Sequence, residues 1–305
     1  MATLSPATRG STILASATAN QWLNAAVVAT GRTVAFTTPN NYAARLSSLL
    51  SLRGHKPLWC PTLIVNPTPQ TLAPHISPPP SLEAFAAVAF TSRAGIVSFS
   101  DAVDGIEGPL LSSDGEDFLI AAIGKDAELL GEEFLLKICS DLDRTKIIVP
   151  PVPTPTGLVE ALGPGLGRKV LCPVPLVIGV EEPPVVPTFL RELEASGWVA
   201  VKAGAYETRW AGPECAEAIV GEEVLDGMIF TSTAEVEGLL KGLKELGWDW
   251  EMVRGRWPEL LVAAHGPVTA AGAERLGVGV DVVGSRFDSF QGVVDALDLR
   301  WEGPR

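Results

Sequence analysis

The side chains of this sequence best suited to chemistry are hydroxyls rather than histidines or cysteines. They recur where an apolar run meets a helical pattern: Thr37-Thr38-Pro39-Asn40, Thr91-Ser92-Arg93, Thr231-Ser232-Thr233 and Gly266-Pro267-Val268-Thr269. At such a strand-to-helix turn a hydroxyl caps the helix while the first helical N–H groups lack backbone acceptors. The turn can therefore hold a carboxylate or phosphate. Parallel α/β sheets gather these turns along the carboxyl edge of their strands, so four of them predict an anionic ligand held between two lobes. Tyr206 stands apart, one of two tyrosines in the chain, within Gly204-Ala205-Tyr206-Glu207-Thr208 at the end of an expected strand. Its hydroxyl could donate a hydrogen bond to a departing oxygen, or be tied to backbone like any buried tyrosine.

Other chemistries lack their residues. Cys60, Cys139, Cys172 and Cys215 form no CxxC and no cluster with His55, His75 or His265, which predicts free thiols in a reducing compartment and no metal. There is no GxSxG elbow for acyl transfer. Gly163–Gly167 precedes a strand and Gly277–Gly279 follows a helix, so neither is the strand–glycine–helix turn that a nucleotide cofactor requires. No cofactor is expected. A net charge of −13 and a pI near 4.7 exclude a phosphate-backbone binder, so nucleic acid is not an expected partner. The uncharged stretch Gly10–Gly31 is too interrupted by Ser, Thr, Asn and Gln for a membrane span.

The elements that must position these groups form an internal repeat. AVAFTSRAGIVSF around Phe90-Thr91-Ser92 returns 140 residues later as GMIFTSTAEVEGLL around Phe230-Thr231-Ser232. FLIAAIGKDAELL returns as LLVAAHGPVTAAG, with Gly124 and Gly266 separated by 142 residues. LSSLLSLRGHKPLWCP and FLRELEASGWVAVKAG share a helix–glycine–strand reading, with Gly54 and Gly197 separated by 143. Alternating strand and helix favours parallel sheets with helices on both faces. Strands are expected at 33–36, 88–90, 120–123, 146–149, 169–171, 228–230 and 260–264. Proline clusters at Pro67–Pro80 and Pro150–Pro155 mark breaks between units.

In order and spacing these segments resemble the uroporphyrinogen-III synthase family over about residues 32–300. The resemblance rests on TTPNNYAARLSSLLSLRGHKPLWCP, both FTS turns, AYET, and most specifically AAHGPVTAAGAERLG followed by a strand and FDSFQGVVDAL. It implies an α/β fold of two flavodoxin-like parallel-sheet domains joined by a two-stranded linker. One domain would be discontinuous, residues 32–62 plus 209–300, with residues 63–208 inserted. The implied reaction is cyclisation of the linear tetrapyrrole hydroxymethylbilane, with inversion of its last ring and loss of water, in tetrapyrrole biosynthesis. Neither metal nor cofactor takes part, and a monomer is expected. Tyr206 matches the tyrosine that helps hydroxide depart. Ser92, Ser232 and Thr269 match turns that hold acetate and propionate side chains, and Thr38, Arg93 and Thr233 join them as substrate-binding candidates.

The chain departs from the family pattern at Gly124-Lys125-Asp126-Ala127, where a threonine is expected three residues after the glycine. It departs again at Arg93 and Thr233, which replace proline, and at Cys172-Pro173-Val174-Pro175, where a basic residue is common. An alternative is therefore a non-catalytic paralogue that binds a tetrapyrrole or another polycarboxylate.

Charge is unevenly spread: Arg9, Arg32, Arg45, Arg53 and Lys56 all precede the first acid, Glu83. The acidic bulk would repel a substrate bearing many carboxylates, so local donors must capture it. Residues 1–30, rich in Ala, Ser and Thr with Arg9 as their single charge, have the composition of a chloroplast transit peptide, expected over 1–31; the cytoplasm is the alternative. N-terminal sequencing of the protein matured in a plastid-bearing cell is expected to start near Arg32. A start at Met1 or Ala2 would refute cleavage.

Overall fold

The computed structural model describes residues 31–77, 81–286 and 289–303. The expected transit peptide, Gly31 apart, lies outside the described residues. The chain opens with β1 (Thr33–Phe36), α1 (Asn40–Leu52) and β2 (Lys56–Trp59). It continues through β3 (Leu63–Pro67), α2 (Pro69–Ile76), β4 (Ala87–Phe90), α3 (Arg93–Asp104), β5 (Phe118–Ala122), α4 (Glu132–Ile138) and β6 (Thr145–Ile148). Next come α5 (Pro155–Leu162), β7 (Lys169–Ile178), α6 (Val185–Ala195), β8 (Val199–Trp210), α7 (Glu214–Gly221), β9 (Gly227–Phe230) and α8 (Thr233–Glu245). The last elements are α9 (Trp250–Arg256), β10 (Leu261–Ala264), α10 (Pro267–Arg275), β11 (Val282–Val283) and α11 (Gln291–Glu302).

The strands form two sheets. One is all parallel in the order β11-β10-β9-β1-β2; the other runs β3-β8-β7-β4-β5-β6 and is parallel except for the edge pair β3–β8. Every residue of β1, β4 and β9 is buried, as apolar strands covered on both faces require. Each sheet has two apolar layers. In the six-stranded sheet Phe90, Phe99 and Phe134 meet edge-on or tilted on one face, with Phe90–Phe99 centroids 5.5 Å apart, while Leu158, Phe189 and Leu193 cover the other. Each fully buried side chain of this size contributes about 1.5–3 kcal/mol. The helix–glycine–strand reading is seen twice, since Gly54 and Gly197 carry φ of 80° and 81° where α1 and α6 stop.

The sequence pattern ends β7 too early. Pro173 and Pro175 break a strand pattern and put its expected end at Leu171, yet β7 continues to Ile178 and pairs with β8 throughout. The prolines are accommodated by an irregularity. Register shifts between Val174 and Pro175, so Val174 pairs with Gly204 and Pro175 with Tyr206, leaving Ala205 as the extra residue. The carbonyls exposed there find other donors: Thr71 Oγ1 donates to Gly204 O, Ser98 Oγ donates to Ala205 O, and Thr68 N donates to Ala205 O at 2.8 Å. A Cβ at Gly204 would lie 2.7 Å from the Leu176 side chain, which would have to move to admit it. Past the bulge β8 reaches the other sheet's layer, where Trp210 Nε1 donates to Gly238 O of α8 at 2.9 Å.

One ion pair anchors the far edge of the six-stranded sheet. Arg144, buried, donates to Glu83 at 2.6 and 2.8 Å, to Ser112 O at 2.6 Å and to Glu116 O at 3.0 Å. Hydrogen bonding from Arg144 holds the Glu83 carboxyl at about 2, below its ordinary 4.5. The stabilisation is therefore complete above about pH 4.5 and lost as pH falls toward 2. Arg144→Met is expected to cost about 2 kcal/mol at neutral pH and to flatten the acid limb of denaturant-unfolding stability. An unchanged acid limb would refute this linkage.

Candidate active site

The carboxyl ends of the parallel strands in both sheets face a common cleft. One cavity of about 280 Å³ is walled by Tyr42 and Pro39 after β1, Thr231 and Ser232 after β9, Ser92 after β4, and Tyr206 on β8. A neighbouring hollow of about 270 Å³ adds Arg45, Asp126, His265 and Phe290, and Tyr42 and Thr231 border both. A larger hollow of about 740 Å³ opens at the amino ends of β1, β9 and β10, among Arg32, Asp226, Glu259 and Trp301. None of the hydroxyl turns reaches it, so the site is assigned to the two smaller hollows.

Tyr206 is held from two directions. Its backbone is paired with Pro175 on one side and Pro67 on the other, and its hydroxyl accepts a 2.8 Å hydrogen bond from Ser92 Oγ. Ser92 in turn caps α3, accepting from Gly95 N at 3.2 Å. Because Ser92 supplies the proton of their shared bond, the Tyr206 proton is free to point elsewhere. Burial pushes the Tyr206 hydroxyl up to about 12, against the bond from Ser92 and with a smaller push from Asp126. It is a neutral donor at ordinary pH.

Tyr42 and Asp126 complete the cluster. Burial raises the Tyr42 hydroxyl well above its usual range, Asp126 and Tyr206 add to this, and Arg93 opposes it. The Asp126 carboxyl is raised by burial, while the Arg93 guanidinium and amide, and then Arg45, pull it back. The Tyr42 ring stands edge-on to Phe290 at 6.0 Å, and the Arg45 guanidinium lies 5.7 Å over the same Phe290 ring.

The second FTS turn is built differently. Ser232 caps α8, accepting from Glu235 N at 3.3 Å. The Glu235 carboxylate, only 1% exposed, accepts from Thr37 Oγ1 at 2.8 Å, Thr231 N at 2.9 Å, Ser232 Oγ at 3.2 Å and Thr231 Oγ1. Burial holds its proton affinity above the ordinary carboxylate value, and these four donors offset that only in part.

Of the residues singled out from sequence, Ser92, Ser232 and Tyr206 wall the same cavity, and Arg93 starts α3 within electrostatic reach of Asp126 and Tyr42. Thr38, Thr233 and Thr269 border neither hollow. Thr38 is fully buried and its carbonyl accepts from Trp59 Nε1 at 2.8 Å. Thr233 packs against Gly272 of α10, where a Cβ would lie 2.0 Å from its hydroxyl. Thr269 donates to Thr231 O at 3.1 Å and so braces the turn. The expectation that all four turns carry a hydroxyl cap is corrected at two of them: Pro39 and Gly266 hold the cap positions of α1 and α10, with no side-chain cap. Sequence reasoning missed Tyr42, Arg45, Asp126, Glu235 and His265. Tyr42 was visible as the other tyrosine, and Glu235 as the third residue after a cap serine, the spacing of a capping box.

Among the described residues no grouping of His, Cys, Asp or Glu suits a metal ion, and no helix is long and apolar enough to cross a membrane. Two mostly parallel sheets, with hydroxyl-capped turns from both opening on one cleft, define a two-lobed α/β protein with its ligand cleft at the strands' carboxyl ends. The chain belongs to the uroporphyrinogen-III synthase family: the family model described as uroporphyrinogen-III synthase HemD matches residues 44–293. Among solved structures, a mutant uroporphyrinogen III synthase from the extremely thermophilic bacterium Thermus thermophilus is similar at 19% identity and TM-score 0.53, covering 88% of this chain and 99% of that one. The wild-type protein of the same organism, in a second crystal form, is 20% identical with TM-score 0.40 over 89% of this chain and 100% of its own. At 19% identity the likeness to the mutant structure is one of fold. A search of curated protein sequences gave no match.

With two tyrosines in the chain, an ultraviolet titration of tyrosinate reads both. Neither is expected to ionise near 10 while the protein is folded, and Tyr206→Phe should remove the step near 12. Since the folded values lie above the unfolded ones, their contribution to stability is complete below about pH 10 and fades as pH climbs toward 12. A midpoint at about 10 in the folded protein would mean solvated hydroxyls and a different site.

Proposed function

We propose that this protein is a lyase that cyclises hydroxymethylbilane to uroporphyrinogen III, inverting the last pyrrole ring and releasing water. The observation that carries the reading is the neutral Tyr206 hydroxyl in the cleft wall, held by Ser92 at 2.8 Å with its own proton uncommitted. The pyrrole nitrogen lone pair expels the terminal hydroxyl and leaves an azafulvenium electrophile. Tyr206 protonates the departing hydroxide to water. The proton lost when the attacked ring regains aromaticity returns to the tyrosine. The electrophile is produced by the substrate's own electron density, so the protein's task is mainly to fold the chain for attack at the substituted carbon and to keep water out. A tetrapyrrole would need both hollows, which Tyr42 and Thr231 border in common. Its carboxylates would meet the α3 and α10 amino ends, with Arg45, Arg93 and Lys125 nearby. Plastid import and a monomeric state belong to the same reading.

A second reading, a binding protein without turnover, is favoured by one observation: Ala127 supplies no hydroxyl at the turn after β5. Incubation with hydroxymethylbilane generated in situ, followed by oxidation and isomer separation, decides between them. Type III product from the wild type is expected, with kcat lowered about 10²-fold in Tyr206→Phe. Only type I porphyrin, with the tyrosine variant indistinguishable from wild type, would sink the catalytic reading, and tight binding of uroporphyrinogen alongside it would establish the second.

A further inference from the structure

The two FTS turns are copies in sequence but not in chemistry. At the α3 turn the third helical residue is Gly95, where a Cβ would already lie 3.1 Å from Pro173 O, so no side chain reaches back to the turn. Ser92 is left to serve Tyr206. At the α8 turn the same position is Glu235, whose side chain folds back into its own helix start. Four donors meet it: the Thr231 amide and the hydroxyls of Thr37, Thr231 and Ser232. Two donors reach each oxygen, so the set fits an ionised carboxylate with its acceptor sites filled. The positive end of the helix favours the same charge.

These are the donors that an external carboxylate at this turn would need. We infer that Glu235 is a built-in carboxylate that fills the anion position of the α8 turn, excludes substrate carboxylates from it, and so fixes the direction in which a polycarboxylate lies between the lobes. The consequence for direction rests on the proposed activity; occupation of the anion position does not. A cleft with two equivalent anion turns would accept a chain of similar pyrrole units, each bearing carboxylates, in either direction. With Glu235 in place, the α3 turn beside Arg93 and Tyr206 is the open one. Thr37 belongs to the end of β1 and Thr231 to the end of β9, so the same carboxylate also locks two neighbouring strand ends of the wall.

Glu235→Ala would vacate the position and leave its donors unmet, and the test has two arms. In the first, ¹³C-labelled acetate is titrated into variant and wild type while amide resonances are followed by NMR. Saturable binding that shifts Thr231 and Ser232 in the variant only is expected; a folded variant that takes up no acetate overturns the inference. This arm needs no turnover, so it decides the anion position even if the wild type proves inactive. In the second, the ratio of type III to type I product is expected to fall about tenfold, the scale of a misoriented substrate. KM should not rise, because a carboxylate subsite has been added, and acetate should restore the ratio. Mere loosening of the turn would raise KM and would not be rescued. Should the alanine variant not fold, Glu235→Ser also vacates the position, and it should show the same loss with rescue by acetate. A wild-type isomer ratio and KM in either folded variant would overturn the directional role. A wild type that makes only type I product would defeat the activity reading instead.

Discussion

Pro175 has no N–H to give, and much of the site depends on how the sheet absorbs that. A regular strand sends neighbouring side chains to opposite faces, yet Ala205 and Tyr206 lie in the same apolar layer because the register slips between Val174 and Pro175. Without the slip Tyr206 would project from the other side of the sheet, away from Ser92. The slip leaves carbonyls unpaired, and an unpaired buried carbonyl costs about 1–3 kcal/mol. Thr71 from α2 and Ser98 from α3 meet that cost and thereby fasten both helices to the strand at the bulge. Since α3 also carries Ser92 at its head, one set of hydrogen bonds fixes the irregular strand, the helix and the bond between Ser92 and Tyr206. The irregularity is thus the means by which a rigid sheet aims a side chain into the cleft.

The fold is close to a repeat, while the site is not. Both sheets end apolar strands with Phe-Thr-Ser, and both serines cap their helices. Divergence comes from single side chains placed on that common frame: Gly95 against Glu235, and Asp126 and Ala127 against the hydroxyl of Thr269. Symmetric backbone gives two lobes whose polar edges can face one another. Asymmetric side chains give a cleft that is acidic and closed at one turn and a hydroxyl donor at the other. A molecule whose two ends must be told apart needs the second property as much as the first.

Most strands, β1, β4, β5, β6, β9 and β10 among them, were legible because fully buried parallel strands are short, apolar and bounded by glycine or proline, and the repeat supplied a second copy of the signal; the antiparallel edge strand β3 had no such copy. Two mostly parallel sheets follow from that pattern. What was hidden had physical reasons. β7 runs on through two prolines because the bulge and the Thr and Ser side chains satisfy what proline cannot, and no local pattern announces partners more than 70 residues away at Thr71 and Ser98. The turn hydroxyls were visible as a set, but which of them face the cleft depends on helix rotation. Ser92 and Ser232 are caps and look outward; Thr233 and Thr269 lie one position or more into a helix and face α10 and β9. Tyr42 and Asp126 become neighbours only when the two sheets are brought together, so neither carries a sequence signal of that meeting.

Long-range and local electrostatics oppose each other in this molecule. A net charge of −13 repels anions at a distance, and Glu235 and Asp126 place two carboxyls in or beside the cleft wall. Screening limits the distant effect to roughly a Debye length, about 8 Å at physiological salt, whereas an amide or guanidinium within hydrogen-bond reach acts in a partly desolvated cleft where each contact is stronger than in water. The few cations at the site, Arg45, Arg93 and Lys125, are therefore worth more than the charge total suggests. Arg93 and Arg45 both pull back the raised proton affinity of buried Asp126, so the charges of the wall are coupled to one another.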